Sequence, residues 1–292
     1  MLTSAALKPG FTGNLFLDNL APESAAVLLP RLVRIKATSG LAIADPGVPL
    51  KYVMFPISSI ISAVTRMQDG TDVEVTIIGR EGLYGFQLAL GHDTSATAAM
   101  VQIPDSMLRI AGADFRTCLR ADPDLSQRVL NYAMVNLETI AQFSGCNRLH
   151  PINERLARWL LMAHDRVDGD ELLLTHEFLA TMLGVRRPAV SLAAAALDQA
   201  GVIQYRYGRI LIVNRGGLEL ASCECYMVAN SAIERLLGYS IRKRVQNPLT
   251  SSMRLTMHNY FRLDRFPART PTALKPTLRH AQRKRPAGCV WA

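Results

Sequence analysis

The sequence predicts an α+β chain in three structural parts, and three observations carry that expectation. Residues 40–115 hold short apolar runs cut by turn-formers at about ten-residue spacing, the pattern of a β-roll or barrel-like sandwich. Residues 124–144 contain neither glycine nor proline and read as part of one long helix. Residues 175–213 read as two short helices about a glycine turn, followed by a hairpin. The 292 residues, 49% of them hydrophobic, are enough for about two domains at roughly 150 residues each.

The first elements are short. Asn14 opens a stretch reading LFLDNLAPESAAVLLPRLVRI, apolar at helical spacing but interrupted at Pro22 and Pro30; one or two short helices fit. Turn-formers then recur at Asp45-Pro46-Gly47, Asp69-Gly70, Gly79, Gly82, Gly85 and Gly91. Residues 71–78 read TDVEVTII, with Val73, Val75 and Ile77 on one face and Asp72, Glu74 and Thr76 on the other. That period of two predicts a half-buried strand, joined through Asp69-Gly70 to the run SSIISAVTRM as a hairpin.

Asp122 is a suitable cap for the long helix, with Pro123 at its first position. Leu125, Val129, Tyr132, Ala133, Asn136, Leu137, Ile140 and Ser144 form a stripe at three-four spacing. A helix that leaves a roll and carries such a stripe is expected to pair with a second copy of itself. His150-Pro151 breaks the pattern, and residues 152–167 form a further helix ending at Asp168-Gly169.

Residues 175–200 read THEFLATMLGVRRPAVSLAAAALDQA. Thr175 can cap a first helix, Gly184 supplies a tight turn, and Ala180, Leu179, Leu183, Val185 and Val190 meet the steric needs of a helix-turn-helix. The second helix opens with Arg186, Arg187 and Pro188; arginines there can reach guanine edges or phosphates in a major groove. The run VIQYRYGRILIVN then reads as a wing, with Arg206 and Arg209 flanking a Tyr207-Gly208 turn. The expected organisation is a roll over 14–120, a dimerisation helix over 121–149, a winged helix-turn-helix over 150–240, and a basic tail over 241–292.

The net charge of +9 is unevenly placed. The last 52 residues hold twelve Lys and Arg against the single acid Asp264, and the first 240 are close to neutral at −2. With five prolines and no sustained apolar period, that tail is expected to be disordered, either as a solvated appendage or as an arm adding sequence-independent affinity for phosphates. No run of about 18 apolar residues predicts a membrane span. The start lacks a signal peptide's basic and apolar regions, and five scattered cysteines suit a reducing compartment, so the cytoplasm is expected.

On these residues the chain resembles the Crp/Fnr superfamily of bacterial transcription regulators over about residues 14–238, from GREGLYGFQLALG in the roll to GRILIVNRGGLE after the wing. The resemblance implies a cyclic-nucleotide-binding-like roll, a homodimer, double-stranded DNA as partner, and RNA polymerase as a further candidate partner. It also implies a phosphate contact at His176 and base-facing positions at Arg186, Arg187 and Ser191. The pocket for an effector, whose identity the lining does not reveal, would lie at Gly85, Phe86, Gln87, Leu88, Thr94 and Ser95. The family's Phe-Gly-Glu-Leu/Ile-Ala-Leu reads Tyr84-Gly85-Phe86-Gln87-Leu88-Ala89-Leu90 here, and its Arg-Ser/Thr-Ala reads Thr94-Ser95-Ala96. Both the ribose-binding carboxylate and the phosphate-binding arginine are missing, so tight cyclic nucleotide binding is not expected. In the second helix the family's Arg-Glu pair reads Arg187-Pro188, and Leu192 replaces a frequent arginine, so a different operator is expected.

Other chemistries find little support. No cysteine precedes Cys118, which excludes the N-terminal iron–sulfur group of this superfamily. Cys223-Glu224-Cys225, with Cys146, has the makings of a metal or redox site but lacks the common Cys-x-x-Cys spacing, and ordinary packing at a helix start is expected. His176-Glu177 has alanine at position 180 where a metalloprotease needs histidine. The six histidines form no close ligand set in sequence, a haem ligand at His92 is not expected, and Gly79, Gly82 and Gly85 are spaced unlike a dinucleotide loop. No cofactor, metal or catalytic role is therefore expected. The alternative function is a signal-sensing module that acts through protein contacts, with DNA binding weak or lost.

Overall fold

The computed structural model describes Lys8 and residues 10–243. Asn14 caps α1 (Leu15–Asp18), its Oδ1 accepting from the Leu17 amide, and its side-chain Nδ2 donates to the carbonyls of Pro56 and Gly82 at 2.7 and 2.9 Å. Pro22 opens α2 (Pro22–Leu28), and Pro30 falls in a 3-10 turn, so both prolines sit where no helical donor is required.

Seven strands follow: β1 (Val33–Lys36), β2 (Ala42–Ala44), β3 (Tyr52–Pro56), β4 (Ile60–Arg66), β5 (Asp72–Ile78), β6 (Ala98–Ile103) and β7 (Ser106–Ala111). They form two antiparallel sheets, β1-β7-β3 and β2-β6-β4-β5. The Asp69-Gly70 turn closes the β4–β5 hairpin, with the Thr71 amide donating to the Asp69 carboxylate. Gly82 stands where chain and helix meet most closely: a Cβ there would lie 2.0 Å from the Tyr132 ring. Tyr132 fills that space edge-on to Phe16 and Phe86, at 6.1 and 6.0 Å between ring centroids.

After α3 (Gly112–Ala121), Asp122 caps α4 (Pro123–Leu149) with Pro123 at the start, as expected; the helix runs 27 residues. The stripe read from sequence proves to be two stripes. Leu125, Val129, Tyr132 and Asn136 are buried against the chain's own roll, continuing through Thr139, Phe143 and Cys146. Leu137 and Ile140 lie on a different face and are exposed with Met134; Ser144 is exposed as well and Ala133 half-buried. The helix therefore satisfies its own domain and still presents a separate apolar edge.

The corner at His150-Pro151 leads into α5 (Ile152–Arg166), and the reading module follows as β8 (Glu171–Leu173), α6 (His176–Leu183), α7 (Arg187–Gln199), β9 (Ile203–Arg206) and β10 (Arg209–Ile212). Two further helices, α8 (Arg215–Ala221) and α9 (Cys225–Leu237), end the described chain. Helix α9 returns along α4 and adds Ile233 and Leu237 to the roll's core. The second core, around α5, takes Ile60, Ile77 and Ile103 from the roll. Roll and reading module thus share packing rather than meeting at a linker.

Two sequence expectations change here. The polar face of β5 meets water only in part: Asp72 pairs with the exposed Arg66, whereas Thr76 is buried and Glu74 is half-buried beneath α5 and α6, with Trp159 Nε1 donating to its carboxylate at 2.6 Å and Ser62 Oγ donating to its other oxygen. Burial pushes the Glu74 carboxyl up to about 7, against the opposing pull of these hydrogen bonds and of Arg158 and Arg166. The expected tail boundary also falls slightly early. Ile241 is buried, Arg242 pairs with Glu219, and the Lys243 amide donates to Asp165 at 3.0 Å; the rest of the tail lies outside the described residues.

Gly82→Ala is expected to destabilise the chain by about 1–3 kcal/mol through overpacking, read as a lower denaturant midpoint with an unchanged slope. Because the Glu74 carboxyl titrates above its ordinary range, its favourable contribution is complete at low pH and is lost as pH rises through about 7. Melting curves from pH 5 to 8 should therefore fall more steeply for the native chain than for Glu74→Gln; parallel curves would contradict the enclosure of this carboxyl.

Candidate nucleic-acid interface

The reading module is built as its sequence demands. Thr175 Oγ1 accepts from the Phe178 amide at 3.2 Å and caps α6. Gly184 adopts φ 61°, ψ 41° at the C-terminus of α6, a left-handed conformation that favours glycine. The Val185 amide turns back to the Ala180 carbonyl at 3.0 Å. Leu179, Ala180, Leu183 and Val190 are buried between the two helices, and Val185 is half-buried. The outer side of α6 rests on the roll, where Met182 packs with Val64 and Ala98.

Arg186, Arg187 and Pro188 are exposed at the N-terminus of α7. A charged guanidinium at this end gains nothing from the helix dipole, and both side chains are open to solvent. Among the described residues, Arg187 Nε pairs with the exposed Glu177 carboxylate, at 3.8 Å. Leu192, one turn along, is 74% exposed, giving the outward face of the helix an apolar contact point.

The wing is a tight hairpin: Arg206 and Arg209 lie opposite each other across a Tyr207-Gly208 turn, with β8 on the far side of β10. Tyr207 has φ 49° and a fully exposed ring. Both arginines are exposed, and Arg209 is ion-paired with Glu171. The exposed Tyr207 was not singled out from sequence, although an aromatic residue in a turn between two arginines is a legible signal of a contact tip.

His176 and Ser191 are engaged with each other. His176 Nδ1 lies 2.9 Å from Ser191 Oγ, which also donates to the Arg187 carbonyl at 3.2 Å. The His176 ring stacks on Tyr205 at 3.9 Å between centroids, and its Nε2 is buried without a partner. Burial, with Arg187 nearby, lowers the imidazole pKa and favours the neutral ring. In this conformation these two residues, which the resemblance places at phosphate and base, tie α6, α7 and the wing together. Thr175, likewise, serves as a cap.

The six expected effector residues gather in part. Gln87 Nε2 donates to Ser95 Oγ at 3.5 Å, Ser95 contacts Thr97 Oγ1 at 3.1 Å, and the Gln87 side-chain Oε1 is buried without a partner among the described residues. Thr94 bridges to Pro49, Leu88 is buried, and Phe86 packs on Tyr132 beside Gly85. A separate cavity of about 320 Å3 opens among Ala42, Val48, Lys51, Tyr52 and Arg109, and none of the six residues lines it.

The cysteines give a different result. Cys146, Cys223 and Cys225 come together with His150, which sequence reasoning left outside the group; their four donor atoms lie within 4.8 Å of one another. The missed signal was local, since Cys146 and His150 are four residues apart at the end of a helix. Among the described residues, no helix is long and apolar enough to cross a membrane.

Comparison with known proteins agrees with this architecture. Residues 154–221 match the family model of the Crp-like helix-turn-helix domain. No curated protein matches the chain by sequence. Among solved structures, the chain is similar to FixK2 from Bradyrhizobium japonicum at 16% identity and TM-score 0.55, over 66% of this chain and 98% of that one. It is similar to a Crp-family transcriptional regulator from Thermus thermophilus at 16% identity and TM-score 0.52, over 72% and 98%. A third is the c-di-GMP-responsive global regulator CLP from Xanthomonas campestris, at 15% identity and TM-score 0.52, over 66% and 99%. The chain has the α+β fold of the Crp/Fnr regulators, and its reading module is a Crp-like helix-turn-helix domain.

The packing of His176 is open to direct measurement. Its imidazole resonances should titrate below the ordinary histidine value, and Arg187→Gln should raise that midpoint slightly, burial being the larger cause. A normal midpoint in the native chain would mean that the ring is solvated.

Proposed function

We propose that the chain is a cytoplasmic, homodimeric, sequence-specific transcriptional regulator without catalytic activity. The observation that carries this reading is the exposed Arg186-Arg187-Pro188 start of α7 beside a wing tipped by Arg206, Tyr207 and Arg209, within a domain matched as a Crp-like helix-turn-helix. Arginine at the leading end of a groove-fitting helix reads guanine bidentately, whereas wing arginines engage phosphate. Pro188 offers no acceptor to cytosine, so the operator differs from one read by an Arg-Glu pair.

The second copy docks along α4. Met134, Leu137 and Ile140 form an apolar edge that neither the roll nor α9 covers, as a helix-pairing seam requires. Two-fold pairing there would set two α7 helices about one helical turn of DNA apart. RNA polymerase is a candidate further partner. A signal enters at the roll, near Gly85–Leu88 and Thr94-Ser95, where the buried Gln87 Oε1, without a partner among the described residues, calls for a donor from a ligand or water. Cyclic nucleotide is not that ligand, because no arginine stands at Thr94-Ser95-Ala96 to meet its phosphate. Whatever the effector is, it must bind two geometries of the dimer unequally to act.

Selection of bound DNA from a random pool, with the full chain and with residues 1–243, should return the same two-fold related site. Arg187→Ala should cost about 1–3 kcal/mol at one base position per half-site, whereas Arg209→Ala should weaken all sequences alike and lower the salt slope by about one. Leu137→Arg should abolish half-site pairing. Enrichment of no sequence would favour a sensing module that acts through protein contacts instead.

A further inference from the structure

The corner between α4 and α5 carries a cluster that the DNA-reading function does not use. We propose that Cys146, His150, Cys223 and Cys225 form a Cys3His site for a tetrahedral zinc ion, which clamps the end of the long helix to the α8–α9 turn.

The distances approach those of a tetrahedron. Zinc bonds of about 2.3 Å to sulfur and about 2.0–2.1 Å to nitrogen place ligands about 3.8 Å apart for two sulfurs and about 3.5 Å apart for sulfur and nitrogen. Cys146 and Cys223 Sγ are 3.5 Å apart, Cys225 Sγ and His150 Nδ1 are 3.5 Å apart, and all four atoms fall within 4.8 Å.

Local structure prepares each ligand. Cys146 and His150 lie one turn apart, and the His150 amide donates to the Cys146 carbonyl at 3.0 Å. Cys223 and Cys225 flank Glu224 where α8 ends and α9 begins. This pairing replaces the Cys-x-x-Cys loop of common zinc sites with one ligand pair from a helix end and one from a helix start.

The outer groups match what a metal site requires. Glu224 Oε1 lies 3.3 Å from His150 Nε2; a carboxylate accepting from that nitrogen fixes the tautomer that frees Nδ1 to bind metal. Gln142 Nε2 lies 3.1 Å from Cys225 Sγ and donates to it. Three thiolates and one Zn2+ leave a net charge of −1, and two buried cations stand within electrostatic reach, Arg158 of Cys146 and Arg155 of Cys146 and Cys223. The three cysteines are buried while His150 is part-exposed, so the ion has one side of access. Zinc suits the mixed sulfur and imidazole set, and four protein ligands leave no open position for catalysis.

The test uses the full chain, purified under reducing conditions and assayed without DNA, so that its outcome is independent of the proposed operator reading. Elemental analysis should find about one zinc per chain. After chelation, cobalt(II) should restore intense visible absorption of a tetrahedral centre with thiolate-to-cobalt charge transfer, and zinc should displace it. Cys223→Ser and Cys225→Ser should lose this signature, whereas Cys118→Ser should keep it. Should the cysteine variants fail to fold, Glu224→Gln decides: its carboxylate is largely exposed, and its loss should weaken zinc about 10–100-fold with stoichiometry retained. Absence of metal and of the cobalt spectrum from the folded native chain would overturn the proposal. So would a cobalt spectrum that survives the double Cys223→Ser, Cys225→Ser change, or a Cys146–Cys223 disulfide under the reducing conditions.

Discussion

Helix α5 has no face left for water, and the rest of the molecule is arranged around that fact. Twelve of its fifteen residues are buried, among them Arg155, Arg158, His164, Asp165 and Arg166. A charge removed from water must be met inside the protein. Arg166 meets Glu81 of the roll at 2.9 Å. Asp165 takes Arg215 at the start of α8 and Tyr226 in α9, each at 2.7 Å. His164 lies between Arg215 and Asp170 at the foot of the wing sheet. Arg155 donates to the Leu183 carbonyl in the reading module, and Arg158 covers the Phe143 ring of α4 at 3.8 Å. Buried pairs of this kind add little net stability, yet separating one strands a charge at about 3–5 kcal/mol. The helix therefore holds roll, long helix, wing and C-terminal helices in a single arrangement.

What was legible in the sequence follows from how local each requirement is. The Gly184 turn, the Asp122 and Thr175 caps, the Asp69-Gly70 hairpin and the Tyr207-Gly208 wing are fixed by neighbouring backbone, and all appear where their residues imply. The second face of β5 was misread because alternation shows that a strand has two faces, not that one of them meets water. Glu74 looks like a surface residue until Trp159, 85 positions later, covers it. The stripe on α4 blurred for the same reason: two apolar faces, one for the roll and one outward, overlap at helical spacing. His150 escaped the cysteine group because Cys223 and Cys225 reach it only through the return of α9. At the candidate interface, the outward arginines could be read individually, but the mutual engagement of His176, Ser191 and Tyr205 depends on three elements meeting.

This shared packing constrains any regulation. The reading module is not a bead on a string: its first helix, α6, lies on β5, and α9, which follows it, completes the roll's core. Glu74, Trp159, Met182 and the Arg166–Glu81 pair lie between the roll and the reading module, so a reorientation of α7 relative to the roll would disturb these contacts. Gly79 and Gly82 sit at the same boundary, against Arg166 and Tyr132. The glycine-rich stretch that invites a ligand-binding interpretation thus has a packing duty that is independent of any ligand.

The arginines of the reading surface have a consequence of their own. Arg187 already faces Glu177, Arg209 already holds Glu171, and Arg206 lies across the hairpin from Arg209. On the proposed reading, an arriving phosphate is a replacement rather than a first partner, and the surface works as an ion exchanger. Each carboxylate it displaces is left beside the incoming polyanion as a repelling neighbour. Attraction from charge alone is therefore partly cancelled in advance, and residence at a site falls to whatever contacts a carboxylate cannot imitate: the edge of a base, or a ring against Tyr207.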